Sequence, residues 1–394
     1  MATPAGMTQS SVRSANLGLV LGRILELSGR VSRADIAGHL GMTRSTVSRL
    51  VDDLIAGELI EEMTAVSGAR GRPAVPLAVR SRTVQALGLE VNVERIVATV
   101  VDLNGTLLAV AHRELRVTEL SPAEAMAELA VLAERALADA PTGGRLAGAV
   151  LALPGLVDRS GRTVLRAPNL GWEGVHPTDH WQPETDGAPL PLRAANDIDC
   201  SARTVLQEQP GSSFIYVTGE VGIGSAISLD GQLLTGRHGW ASELGHVCVN
   251  PRGERCGCGA VGCLETVVGS HALLRLTGRS DIDGVLAALR DGDGRAVDAV
   301  EQVAEALGIA LGGALNLLDV TTVNLGGHLG LLAPWLEDPL RRELNQRVLW
   351  SGYSEIEIAV VSQAPLRAAM GAGLAALTWV IQDPAGWIEP LLNR

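Results

Sequence analysis

Three cysteines and a histidine crowd into eighteen residues of this 394-residue chain, and no other feature limits its fold so tightly. They stand in Glu243-Leu-Gly-His246, then nine residues, then Cys256-Gly-Cys258-Gly-Ala-Val-Gly-Cys263-Leu-Glu265. Three thiolates and one imidazole at this spacing are the donor set of a closed tetrahedral zinc site (Zn2+), structural because protein fills all four positions. The glycines let the loop over 246–263 wrap tightly enough for the three sulfurs to converge. Taken singly, each cysteine would be a small buried hydrophobe and His246 a satisfied polar group. Four ligands at one spacing make that the weaker account. Cys200 and Cys248 lack such company and are read as core residues. Five cysteines, few and odd in number, favour a metal over disulfides in a reducing compartment.

The length implies two or three domains. Hydrophobic residues make up 46% of the chain and aromatics only 3%, so Leu, Val, Ile and Ala must fill the cores. There is no uninterrupted apolar run of about 18 residues, and residues 1–11 lack a basic start followed by an apolar stretch. No membrane span or secretory signal is expected, and a cytoplasmic location is. The net charge of −12 argues against a nucleic-acid binder until it is divided. Residues 1–82 carry ten arginines against seven acids, whereas the other 312 carry 22 against 37. A small basic head on a large acidic body suggests that one end meets a polyanion.

In the head, Leu17, Val20, Leu21, Ile24, Leu25 and Leu27 mark a helix over 12–30. Ser32 caps a short second helix with Ile36, Ala37 and Leu40 on one face. After the Gly41-Met42 turn, Thr43 caps a third helix, Arg44 to Ile55, with Val47, Leu50, Val51 and Leu54 as its buried stripe. Arg44, Ser45, Thr46, Ser48 and Arg49 stay on the open side near its start, where major-groove readers contact bases and phosphates. Strand-like pieces at Leu59–Met63 and Val75–Val79 flank a wing whose tip offers Arg70 and Arg72 to a minor groove. The head is thus a mainly α winged helix-turn-helix over residues 1–82, expected to bind a double-stranded DNA operator. A protein-docking module with a solvated Arg-Gly-Arg loop is the blander alternative.

From residue 85 strands alternate with helices in two successive halves, an α/β body over 83–394. Strands are expected at Ala86–Val91, Ile96–Asp102, Leu107–Arg116, Ala147–Leu153, Ser213–Thr218, Ser225–Leu229, Thr322–Leu325 and Glu357–Val361. Helices are expected near 122–139, 265–276, 297–317 and 366–381. The Pro-rich segment 172–193 reads as a long surface loop, and Arg80–Arg82 as the junction between head and body.

On the strength of the Glu-x-Gly-His and Cys-x-Cys-Gly-x-x-Gly-Cys-x-Glu elements, the body resembles the ROK family of repressors, open reading frames and sugar kinases over about residues 85–385. With its head, the whole chain resembles a ROK transcriptional repressor. The resemblance implies a bilobal actin/hexokinase-like fold, a sugar cleft between lobes, and a zinc that shapes the cleft wall. It also implies that Asn196, Asp197, Glu243, His246 and Glu265 line the sugar site, and it finds a near match to another family pattern in Pro168-Asn-Leu-Gly-Trp172. The residue chemistry agrees, since carboxylates suit neighbouring hydroxyls. Asn196-Asp197 taken alone would read as a helix cap or turn.

ROK kinases cradle ATP with an Asp-x-Gly-Gly-Thr turn between their first two strands. The corresponding stretch here, Glu90-Val91-Asn92-Val93-Glu94, has lost both glycines and gained an acid, which disfavours phosphoryl transfer. A second turn, Thr218-Gly219-Glu220-Val-Gly222-Ile-Gly224, keeps three glycines but adds Glu220. The expectation is a non-enzymatic, sugar-responsive regulator of carbohydrate genes, with a sugar or sugar phosphate as effector and no catalytic residue. The alternative is an ATP-dependent sugar kinase, or a bifunctional kinase and regulator. A two-fold operator further implies an even oligomer, a homodimer or homotetramer, since one winged head has too small an interface for a repressor's specificity.

Overall fold

The computed structural model describes residues 9–64, 75–181, 183–185, 188–220, 222–362 and 366–392. Two compact units divide the chain. The first comprises Met1–Gly155, Ser160–Cys200 and Ala368–Arg394, and the second Leu156–Arg159 and Ser201–Arg367.

The first unit begins with three helices, α1 (Gln9–Glu26), α2 (Arg33–Leu40) and α3 (Arg44–Ala56). Leu17, Val20, Leu21 and Ile24 of α1 are fully buried together with Ile36, Val47, Val51 and Leu54. Ser32 caps α2 in a reciprocal box with Asp35, and Gly41 takes the left-handed conformation that ends it. Ile60–Glu62 pairs antiparallel with Pro76–Val79. Val31–Ser32 adds a third strand that its two-residue length hides from sequence periodicity. Arg80 and Thr83 hydrogen-bond back to Leu59 and Glu58, so the passage out of the hairpin is tied down.

Strand Val84–Val91 then opens a five-stranded sheet. It is flanked on one side by the hairpin Arg95–Asp102 and Leu107–Glu114, and on the other by the parallel strands Arg145–Leu153 and Leu192–Asn196. The helices and hairpin of residues 9–80 share one hydrophobic cluster with this sheet and with Ala368–Val380 and Ile388. The C-terminal helix, Pro384–Leu392, completes that packing: a Cβ on Gly57 would strike Ile388. Ser14 donates to Asp383 at 2.7 Å, and Arg145 lies 4.0 Å over the Trp387 ring. Sequence periodicity marks Leu366–Ile381 but not this last helix.

The second unit repeats the same topology. Strand Phe214–Gly219 sits between the antiparallel pair Ile223–Leu229 and Gln232–Leu233 and the parallel strands Thr322–Gly326 and Glu357–Val360. In both sheets the order is third, second, first, fourth, fifth. Helices Gly294–Leu318 and Gly327–Arg347 cover one face with Leu307, Leu311, Leu332, Leu336 and Leu340, all fully buried.

Two expectations are corrected. The helix over 265–276 is two helices, Glu265–Val268 and Ser270–Thr277, because Gly269 between them is extended. The segment 172–193 is not a plain loop. Trp172 and Trp181 are buried, the Trp181 indole donates to Leu190 O at 3.2 Å, and short strands and a 3-10 turn punctuate it.

One close approach gives a prediction. A Cβ on Gly371 would run into the backbone carbonyl of Cys200, an atom that cannot swing away. Gly371→Ala is expected to cost about 1–3 kcal/mol by overpacking, despite alanine's better helix propensity, and a urea titration would read it as a lower midpoint.

Candidate functional site

In the second unit, Ser242 (φ 73) leads into Glu243, which precedes the 3-10 turn Leu244–His246. The chain then runs through Val249 and Asn250, whose amides both bond Gly262 O, and returns through the isolated bridges Arg255–Val261 and Cys248–Cys263. Gly262 (φ 76) is required because a Cβ there would strike Asn250 O, and Gly259 (φ 100) by its conformation alone. Cys248 is exposed rather than core, since the bridge holds it on the loop surface; Cys200 is buried.

The wrapping brings one donor atom each from His246, Cys256, Cys258 and Cys263 within 4.8 Å of one another. Cys258 Sγ and Cys263 Sγ are 3.7 Å apart, as are Cys256 Sγ and His246 Nδ1. Ligand-to-ligand edges of about 3.6–3.8 Å follow for tetrahedral zinc from its bond lengths to sulfur and nitrogen. A disulfide would need about 2.05 Å. Burial pushes the Cys263 thiol up to about 12 and raises Cys256 too, while the backbone at Ala260 lowers Cys258. A cation held by these residues would favour the thiolates that burial opposes. The group can hold a metal.

Beside it stand the two carboxylates. Glu265 Oε2 accepts from Ile223 N at 3.1 Å, and its Oε1 lies 3.7 Å from Cys256 Sγ. A Cβ on Gly222 would strike that carboxylate. This glycine of the supposed phosphate turn is therefore explained by a protein neighbour. Desolvation raises the Glu243 pKa, with the charge of Glu265 adding to it and that of His246 opposing. Glu243, His246 and Glu265 are thus gathered in one place.

Asn196 and Asp197 belong to the first unit, where strand Leu192–Asn196 meets helix Asp197–Glu208. Asn196 Oδ1 accepts from Ile198 N and Asp199 N at 2.9 and 3.1 Å, and its Nδ2 donates to Gly155 O at 3.1 Å. Asn196 is a helix cap, as the local alternative has it, and by capping it fixes where Asp197 stands. The Pro168–Leu170 turn leaves Asn169 exposed ahead of Leu170 and Trp172, which are both buried.

At the first turn, Glu90 is buried and receives two hydrogen bonds from Arg95, at 2.8 and 3.1 Å; Asn92 N closes the hairpin on Arg95 O. An ion pair thus stands at the position expected of a phosphate turn.

On α3, Thr43 Oγ1 caps Thr46 N at 3.2 Å. Arg44, Ser45 and Arg49 are exposed, and Thr46 and Ser48 half-buried. Arg13, Arg23, Arg33 and Arg80 are held in ion pairs. Arg44 and Arg49 form none among the described residues. Arg70 and Arg72 lie outside the described residues.

A twice-repeated sheet of this order, with a helix-turn-helix in front and a Cys3His loop in the second unit, defines an actin/hexokinase-like body carrying a regulator's head. The chain belongs to the ROK family, whose model matches residues 86–379. A model described as bacterial regulatory proteins, crp family, matches residues 30–60. Among curated proteins, the xylose repressor of Caldicellulosiruptor bescii is 26% identical over 96% of this chain and 98% of its own. The DNA-binding transcriptional dual regulator NagC of Escherichia coli is 26% identical over 94% and 95%. Among solved structures, a ROK family transcriptional regulator, homolog of the E. coli Mlc protein, superposes with a TM-score of 0.79 at 25% identity, covering 96% of this chain and 99% of its own. The ROK hexokinase of Thermus thermophilus reaches 0.63 at 28% identity over 75% of this chain and 99% of its own.

Proposed function

We propose that this chain is a sugar-responsive DNA-binding transcriptional regulator, a repressor of carbohydrate metabolism or transport genes, and not an enzyme. Coverage carries the reading. The repressor relatives run nearly the whole length of the chain, head included, whereas the hexokinase matches three quarters of it while using 99% of itself. A sugar kinase, alone or joined to regulation, is the second reading, favoured by the 28% identity to that hexokinase. The Glu90–Arg95 pair argues against it.

In this reading the effector is a sugar or sugar phosphate, xylose and N-acetylglucosamine being the sugars that the relatives' names suggest. Asp197, Glu243 and Glu265 accept from its hydroxyls, and Asn196 is assigned to the same site as well as holding Asp197 in place. His246 turns Nδ1 to the cysteines, leaving Nε2 as a donor to the sugar. One structural zinc per chain would be held by His246, Cys256, Cys258 and Cys263, supplying rigidity rather than reactivity. The chain works in the cytoplasm as a homodimer or homotetramer on a two-fold operator.

Thermal-shift screening against D-glucose, D-xylose and N-acetylglucosamine, free and phosphorylated, tests the effector assignment, because a ligand that binds the native state raises apparent stability by mass action. One sugar should raise the melting temperature without turnover of ATP. Phosphorylation of that sugar would favour the kinase.

Arg44, Ser45, Thr46, Ser48 and Arg49 are assigned to the major groove, and Arg70 and Arg72 to a flanking A·T-rich minor groove. Arg49→Ala is expected to cost about 1–3 kcal/mol of operator binding and to relax preference at one position per half-site. Titration of base-substituted operators would read this, and equal affinity of variant and parent would remove Arg49 from the interface.

A further inference from the structure

His328 is the first side chain after the Gly326-Gly327 corner that joins strand Thr322–Gly326 to helix Gly327–Arg347. It is 4% exposed, an unusual place for an imidazole. Nε2 lies 2.9 Å from Val268 O, the last residue of helix Glu265–Val268. A carbonyl only accepts, so Nε2 carries the proton, and a neutral ring then leaves Nδ1 bare. Nδ1 is buried and has no hydrogen-bond partner among the described residues. Burial lowers the pKa of the ring, and the carbonyls of Val268, Gly219 and Glu220 oppose without prevailing. The ring stays neutral and donates to Val268.

The face of the imidazole covers Gly219: a Cβ there would strike the ring, and one on Gly327 (φ 56) would strike Gly219 O. Gly219 and Gly327 also form a parallel bridge. His328 therefore touches both the backbone at Gly219 and the helix that begins with Glu265. The strand that restarts at Ile223 is held in turn by Glu265, through Ile223 N to Oε2 at 3.1 Å. These contacts close a ring of protein around glycines that, in sequence, look like a phosphate cradle.

We infer that His328 is a positioning residue: it fills the space against Gly219 and, through Val268, fixes the helix whose first residue, Glu265, is offered to the effector. This rests on the effector reading above. The histidine acts through Glu265 and does not itself meet the sugar. The same filling leaves Gly219 and Gly222 committed to protein partners, His328 and Glu265, rather than to a nucleotide.

Hydrogen exchange on the full-length chain tests it, comparing wild type with His328→Ala and His328→Gln. Glutamine can place an amide donor where Nε2 stands. In His328→Ala, exchange at Ile223 and across Glu265–Val268 should quicken at least tenfold beyond any change in strand Phe214–Gly219, and His328→Gln should restore most of the protection. With whichever sugar of the panel shifts the wild type most, His328→Ala should need at least tenfold more for half the shift. Wild-type exchange at those amides, or a uniform rise throughout the unit with an unchanged sugar midpoint, would overturn the inference. A wild type that responds to no sugar of the panel would overturn the effector reading instead, and the local exchange pattern would still decide the role of His328.

Discussion

Cys263→Ser, or the parent chain stripped by a strong chelator, will lose one equivalent of zinc and with it the order of the loop from His246 to Cys263. At a free-metal concentration about a thousandfold above its dissociation constant, the bound ion contributes about 4 kcal/mol to the native state. All of that is forfeited with the ion, and the weak thiol contacts at 3.7 Å that would remain are a poor substitute for it. The effect reaches beyond the loop, since Cys256 Sγ lies 3.7 Å from Glu265 Oε1 and Cys263 opens the turn into the helix that Glu265 begins. The melting temperature and the sugar response should fall together and return together when zinc is restored to the chelated parent. Metal analysis of freshly purified protein finding no zinc, with all five cysteines reduced, would refute the assignment.

Glu243→Ala and Asp197→Ala, each made alone, should move the response to sugar to much higher concentration while operator affinity in its absence stays within about twofold. A hydrogen bond to a charged group contributes about 1.5–3 kcal/mol, so each loss should raise the half-maximal sugar concentration about ten- to a hundredfold. A ligand changes DNA affinity only by binding one conformation better than another, so a chain that cannot grip the sugar is left in its operator-binding state. Fluorescence anisotropy of labelled operator, titrated with sugar, separates the two quantities. A variant that lost operator affinity with no sugar present would place its carboxylate in the fold rather than in the site.

Local chemistry made much of this legible in advance. Ser32, Thr43 and Gly41 announce the helix-turn-helix because caps and left-handed turns need those residue types wherever they occur. The Cys3His loop is readable for the same reason: its donors are close in sequence, and its glycines are demanded by the turns they make. What stayed hidden depends on partners far along the chain. Helix Gly327–Arg347 carries Pro334 and Pro339, each worth about 3 kcal/mol against a helix interior, yet it forms because Leu329, Leu332, Leu336, Leu340 and Leu344 bury a continuous stripe. Nothing near Gly57 foretells Ile388, and nothing near Gly222 foretells Glu265. The site shows the same limit. Asn196 taken alone reads as a helix cap, but which backbone groups it holds, Ile198, Asp199 and distant Gly155, is not written beside it, and His328 carries no sequence motif at all.

The most direct test of the regulator assignment is to recover the genomic fragments that the purified chain binds, and then to challenge the bound fragments with D-glucose, D-xylose and N-acetylglucosamine, free and phosphorylated. One two-fold-symmetric sequence near carbohydrate genes should be enriched and then released by one of these sugars, with no consumption of ATP. Fragments no better bound than bulk DNA, from a chain that phosphorylates a sugar with ATP, would contradict the assignment.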